Sequence, residues 1–128
     1  MVRTRARNRC EYCRLPQEYQ EATFHVDHVW PRKKGGMTAA DNLALACVCC
    51  SLRKGARVTA WDPVAKAVVP LFNPRAQKWP DHFSLARGPR IRGKTPVGRA
   101  TIFALAMNRP SVLAIRVTPV ALGVLHFE

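Results

Sequence analysis

Acidic residues are scarce in this chain. Asp and Glu number 8 against 21 Lys and Arg, which leaves a formal net charge of +13 and an isoelectric point near 10.6. A compact chain so unbalanced repels itself unless a polyanion is at hand, and nucleic acid is the expected partner. An anionic membrane fits less well, because the basic residues are spread along the chain and are not gathered on one face of an apolar helix. Long apolar runs are missing too: no stretch approaches the roughly 20 residues that cross a bilayer. Met1 to Arg9 is basic with no apolar segment behind it, so no secretory signal is expected and the expected location is cytoplasmic. Internal repeats are absent as well, and 128 residues predict one domain with a modest core.

What the chain does have is cysteine at metal-ligand spacing. In a reducing compartment its five cysteines are poor disulfide candidates. Two intervening residues let both sulfurs of a pair face one tetrahedral ion, so Cys10, Cys13, Cys47 and Cys50 are expected to hold one Zn²⁺. Cys49 is left over, a reserve thiolate or, as the preferred reading, a small buried apolar residue. Between the pairs lie His25-Val26-Asp27-His28, a Gly35-Gly36 turn and Asn42; Ser51-Leu-Arg-Lys54-Gly55 follows the last ligand. A metal-binding acid, an imidazole base and a zinc-pinned hairpin in a very basic chain suggest phosphodiester cleavage. Taken singly, Asp27 also reads as a turn-capping carboxylate, His28 as a hydrogen-bonded core histidine and Asn42 as an ordinary turn residue.

Apolar and β-branched residues alternate from Phe24 to Trp30, which predicts a strand stopped by Pro31, with Phe24, Val26 and His28 as candidates for one face. Residues 42–47 read as the returning strand, with Leu43 and Leu45 on one side, and Cys50 or Ser51 as the start of a helix that runs to Lys54 and stops at Gly55. Neighbouring strand residues point to opposite faces, so Asp27 and His28 can serve one phosphate only if the strand ends or twists there. Residues 1–9, with Arg3, Arg5 and Arg7, read as a loosely docked basic arm able to follow phosphates.

Prolines at 63, 70, 74, 80 and 89 predict short pieces, with strands around 68–72, 82–85 and 90–93. Arg75, Lys78, Arg87, Arg90, Arg92 and Lys94, interleaved with Phe72, Trp79 and Phe83, form a candidate phosphate-contacting surface. Thr95-Pro96 is a helix start, and the pattern through Met107 places Ile102, Leu105 and Ala106 at helical spacing. Ser111 is expected to cap a second short helix carrying Val112, Leu113 and Ile115, with residues 117–128 an irregular docked tail. The expected fold class is α+β.

Cys10, Cys13, Asp27, His28, Gly35, Gly36, Asn42, Leu43, Cys47, Cys50 and Lys54 fall in the order of the HNH endonuclease motif, and over roughly residues 8–57 the chain resembles that family. Eleven positions of restricted type recurring together make this specific, where a lone Cys-x-x-Cys is weak. Residues 71–75, Trp79, His82-Phe83 and 98–101 are also similar to the tails of small stand-alone bacterial HNH proteins, which assigns them no role. The resemblance implies a small ββα-metal core on a four-cysteine zinc knuckle, spanning residues 10–57, with residues 58–128 packed on it as short strands and a helical pair. It further implies metal-dependent hydrolysis of DNA phosphodiesters. His28 would be the general base, Asp27 the ligand of a catalytic Mg²⁺ or Mn²⁺, Asn42 the brace of the loop that aims His28, and the cysteine-bound zinc structural.

One position departs from the motif. Directly after the final cysteine the family usually has Asn or His as a second metal ligand, and this chain has Ser51, whose neutral hydroxyl is a poorer donor. Ser51 ligates directly or through water, or another side chain substitutes, with His82 preferred over Asp81, His25 and Asn73, or the catalytic metal is lost. The last case describes a catalytically inactive zinc-knuckle nucleic-acid-binding protein; a module that binds an acidic protein is the remaining alternative. No oligomeric state is read from these residues.

Overall fold

Proline and glycine cut this chain into short elements, and the computed structural model, which describes residues 1–85 and 88–125, shows among them six strands and five helices, the longest of 12 residues. After α1 (Val2–Arg5) come β1 (His25–His28) and β2 (Leu43–Ala46), with α2 (Val48–Lys54) directly behind. β1 and β2 run antiparallel, His25 opposite Ala46 and His28 opposite Leu43. A second hairpin pairs β3 (Thr59–Asp62) with β4 (Ala67–Pro70); α3 (Trp79–His82) leads into β5 (Phe83–Ser84), which pairs with β6 (Arg92–Gly93). Two C-terminal helices, α4 (Pro96–Leu105) and α5 (Pro110–Ala121), complete a mixed α and β fold built on small antiparallel sheets. None of the helices is long and apolar enough to cross a membrane.

Local chemistry sets the boundaries. The Cys47 thiolate position caps α2 by accepting the Cys50 N–H, so the helix begins at Val48, earlier than Cys50 or Ser51; Gly55, at φ +51°, ends it. Thr95 Oγ1 accepts the Gly98 N–H at 3.0 Å, Pro96 opens the first turn, and α4 stops where Ala106 turns left-handed. Gly98 also lets α4 lie against the end of α3, since a Cβ there would stand 2.1 Å from the His82 carbonyl oxygen. Ser111 does not cap α5; Arg109 occupies that position without a side-chain bond. The helix also continues through Val117 to Ala121, where an irregular tail was expected. Val112, Arg116 and Pro119 explain this: at i, i+4 and i+7 they form one buried stripe. The expected tail residues 126–128, and Arg87 of the candidate phosphate surface, lie outside the described residues.

One core joins the N-terminal knuckle to the C-terminal helices. Tyr12, Leu15, Phe24, Leu45, Phe72, Phe83, Ile91, Leu105, Met107 and Val112 are all nearly inaccessible, each such side chain contributing about 1.5–3 kcal/mol by leaving water. Phe24 precedes β1 and is buried, whereas Val26 faces solvent, so the two do not share the face expected of them. The N-terminal arm is also docked more firmly than its charge suggests. Val2 and Ala6 enter the core, Arg3 donates to the Phe24 carbonyl at 2.7 Å, and Arg5 donates to the carbonyls of Ala40 and Leu43.

The second hairpin is fastened by a buried carboxylate. Asp62 accepts from Arg99 Nε at 3.1 Å and Nη2 at 2.9 Å, a two-pronged pair that joins β3 to α4. The Arg99 bonds hold the Asp62 carboxyl below its ordinary value. A depressed carboxylate stabilises the fold fully above the unfolded pKa of about 3.9 and loses that contribution as pH falls through its folded value. Arg99→Met is therefore expected to be less stable than the wild type at pH 7, with the difference shrinking below pH 4; urea midpoints measured from pH 3 to 7 check it.

Candidate metal and nuclease site

The first cysteine pair sits in a tight turn, where the Cys13 N–H points at Cys10 Sγ at 3.4 Å; the second straddles the start of α2, with the same bond from Cys50 to Cys47. All four sulfurs are buried, and all lie within 4.8 Å of one another. A tetrahedron with metal–sulfur bonds of about 2.3 Å has edges of about 3.8 Å, and Cys13 and Cys47 Sγ are 3.7 Å apart. The donor set fits Zn²⁺ in number, type and spacing. Bonds from Cys10, Cys47 and Cys50 hold the Cys13 thiol well below its ordinary value, burial pushes Cys10 up, and sharing bonds with Cys10 raises Cys50. Arg116, fully buried on α5, lies close enough to Cys13 to offset its charge. Its Nη atoms donate to the Pro89 and Met107 carbonyls, while its buried Nε has no oxygen partner. Cys49 stands outside this cluster and is exposed, not buried as expected.

β1 carries three polar side chains to the adjoining surface. Asp27 is half-buried, and its Oδ2 takes both of its bonds, the Lys54 ammonium at 3.1 Å and the Tyr12 hydroxyl at 3.4 Å. Oδ1 has no protein partner among the described residues and is not fully buried. Burial pushes the Asp27 carboxyl above its ordinary value, with Lys54 opposing. Lys54 is itself only 2% exposed and also donates to the His28 carbonyl at 3.0 Å, so α2 is pinned to β1 at this point. His28 is the last residue of β1, and its Nε2 lies 2.8 Å from Thr38 Oγ1. His25 Nδ1 lies 2.9 Å from Ser51 Oγ on α2. His28 ends β1, and Asp27 and His28 both line a shallow cleft of about 350 Å³, which His25, Arg32, Lys33 and Ser51 also line.

The loop that presents Thr38 is tightly determined. Asn42 Oδ1 accepts the Trp30 N–H at 2.8 Å, while its Nδ2 donates to the carbonyls of Trp30 at 3.0 Å and Met37 at 2.8 Å. Gly36 lies so close beneath Trp30 that a Cβ would stand 1.7 Å from that residue's carbonyl oxygen. Loss of three side-chain bonds, at about 0.5–1.5 kcal/mol each, leads us to expect Asn42→Ala to lose about 2–4 kcal/mol of stability. A urea titration, with proteolysis mapped to residues 31–42, measures it.

His82 is placed elsewhere. Its Nδ1 is 2.6 Å from Thr95 Oγ1, its ring packs edge-on against Phe72, and it does not line the cleft of Asp27. Among the expected substitutes for the missing ligand, only His25 shares that cleft. Tyr12 and Thr38 carry no sequence signal for the contacts they make. His25 did have one, because i and i+2 on a strand share a face.

An antiparallel hairpin, a following helix and a buried four-thiol cluster that fits a metal such as zinc define a small ββα unit. Residues 10–57 match the family model described as HNH endonuclease, which shows over that segment the resemblance carried by the motif. No curated protein and no solved structure matches the chain. The HNH match points to nuclease activity and metal binding, on nucleic acid as substrate.

Proposed function

We propose that this chain is a metal-dependent endonuclease that hydrolyses DNA phosphodiester bonds, with His28 as general base and Asp27 as ligand of a divalent cation. The observation that carries the reading is the shared cleft: Asp27, with one carboxylate oxygen unpartnered among the described residues, and His28, with one ring nitrogen engaged, both line it at the end of β1, within a segment that matches the HNH family model. With Nε2 of His28 turned to Thr38, Nδ1 is left to take the proton of an attacking water. Asn42 keeps that arrangement by holding Met37 and Trp30, the residues flanking the loop. Arg32 and Lys33 stand at the cleft edge for the phosphates of the strand. A cation bound at Asp27 would neutralise charge on the scissile phosphate and the departing oxygen. Because a ligating carboxylate must be ionised, and burial delays ionisation of Asp27, cation binding weakens on acidification sooner than at an exposed aspartate.

Ser51 favours a second reading, a zinc knuckle that binds nucleic acid without cutting it. Supercoiled plasmid separates the two. The nuclease nicks it with added Mn²⁺ or Mg²⁺, and Asp27→Asn, retaining its zinc, abolishes nicking. Binding by the wild type with no cutting under any divalent cation establishes the second reading instead.

A further inference from the structure

We propose that His25 supplies the second protein ligand of the cation at Asp27, with Ser51 orienting it, so that the site takes a dication with nitrogen affinity, such as Mn²⁺, Co²⁺ or Ni²⁺, in preference to Mg²⁺. This rests on the nuclease reading for the existence of a cation at Asp27 and adds its ligand set and metal class. In β1 the side chains of His25 and Asp27 fall on one face, two residues and so about 7 Å apart along the strand. α2 brings Ser51 against that face, and all three residues line the same cleft.

The hydrogen bond between His25 Nδ1 and Ser51 Oγ, 2.9 Å, is the decisive detail. A histidine that ligates a metal ordinarily has its other ring nitrogen bonded to an oxygen, which fixes the tautomer and the ring plane. Here that bond is already made, and Nε2 of His25 has no partner among the described residues. Asp27 is prepared in the same way: Lys54 and Tyr12 hold Oδ2, and Oδ1 has no protein partner among the described residues. Ser51 thus need not act as the ligand itself. The other imidazoles are occupied differently, His28 with Thr38 at the end of the strand and His82 with Thr95 away from the cleft.

The chemistry follows from the exchange of an amide oxygen or its equivalent for an imidazole. Mg²⁺ favours oxygen ligands and retains its waters, whereas an imidazole–carboxylate pair suits the later divalent ions.

The test uses the zinc-loaded 128-residue chain with its four-cysteine zinc content confirmed, and Mn²⁺ as probe. Electron paramagnetic resonance titration reads the loss of the free Mn²⁺ signal, and electron spin-echo modulation reads ¹⁴N coupling to the bound ion. The wild type is expected to bind one Mn²⁺ with imidazole ¹⁴N coupling and to resist competition by Mg²⁺. His25→Ala should lose the coupling and bind at least about 10-fold more weakly, and His25→Asn should narrow the gap between Mn²⁺ and Mg²⁺. Ser51→Ala should keep the coupling with an intermediate loss of affinity. If Asp27→Asn abolishes Mn²⁺ binding while His25→Ala binds like the wild type, or if no ¹⁴N coupling is seen, the assignment of His25 is overturned and the nuclease reading stands. If the wild type binds no Mn²⁺, both fall.

Discussion

His28→Ala is expected to slow plasmid nicking by about 10²–10⁴-fold, the usual contribution of a general base, while zinc content, Mn²⁺ binding and the unfolding midpoint stay near those of the wild type. The structure separates these effects. Among the described residues the His28 side chain bonds only Thr38, at the end of a strand, and it belongs to neither the core nor the thiol cluster. Its carbonyl, which receives Lys54, remains in the alanine variant. Thr38→Val should give a smaller loss, because it frees the ring to turn and exchange tautomers without removing the base. Single-turnover nicking at saturating Mn²⁺ measures the chemical step. A His28→Ala protein that nicks at the wild-type rate would falsify the assignment of the base.

Zinc removal should have the largest effect on stability. Structural zinc supplies about 10–16 kcal/mol of apparent folding free energy, as much as or more than the roughly 5–15 kcal/mol by which a domain is stable at all. Here the consequences extend beyond the knuckle. Cys10, Cys13, Cys47 and Cys50 belong to the same cluster as Phe24, Leu105 and Val112, and Arg116 connects α5 to their charge. A chelator, or Cys47→Ser, is expected to abolish the cooperative unfolding transition of the whole chain and not merely to loosen its first third. Cys47 is also the cap of α2, a role that serine keeps, so the loss in Cys47→Ser reports the missing thiolate ligand. Far-ultraviolet circular dichroism in urea, followed as zinc is withdrawn and restored, tests this; an unchanged transition in zinc-free protein refutes it.

How far the chain could be read in advance depended on whether a feature was local. The sulfur cluster was legible because two-residue gaps constrain geometry whatever lies between the pairs. The Thr95 cap was legible because it is set by neighbours in sequence, and β1 was legible from the alternation within the strand itself. Docking of the N-terminal arm was not, since Val2 and Ala6 are too few to announce a helix and the acceptors of Arg3 and Arg5 lie some 20 to 40 residues away. Helix α5 runs past the short helix expected after Ser111 because the burial of Pro119 with Val112 and Arg116 is a tertiary effect. The preference for His82 over His25 had a different cause. His82 bonds Thr95 and packs on Phe72, ten residues away, contacts that its own neighbours do not announce, while the period of two along β1 places His25 on the face of Asp27.

The formal charge of +13 is a poor guide to how steeply salt should weaken the proposed binding to DNA. Each cation that replaces a condensed counterion on a phosphate adds about one to the slope of log K against log salt, but only if it is free to leave the protein's own surface. Arg3, Arg5, Lys54, Arg75, Arg99 and Arg116 are already tied to carbonyls or carboxylates within the fold. Those groups hold the molecule together in any buffer, and the ionic-strength dependence should report the smaller set of side chains around the cleft.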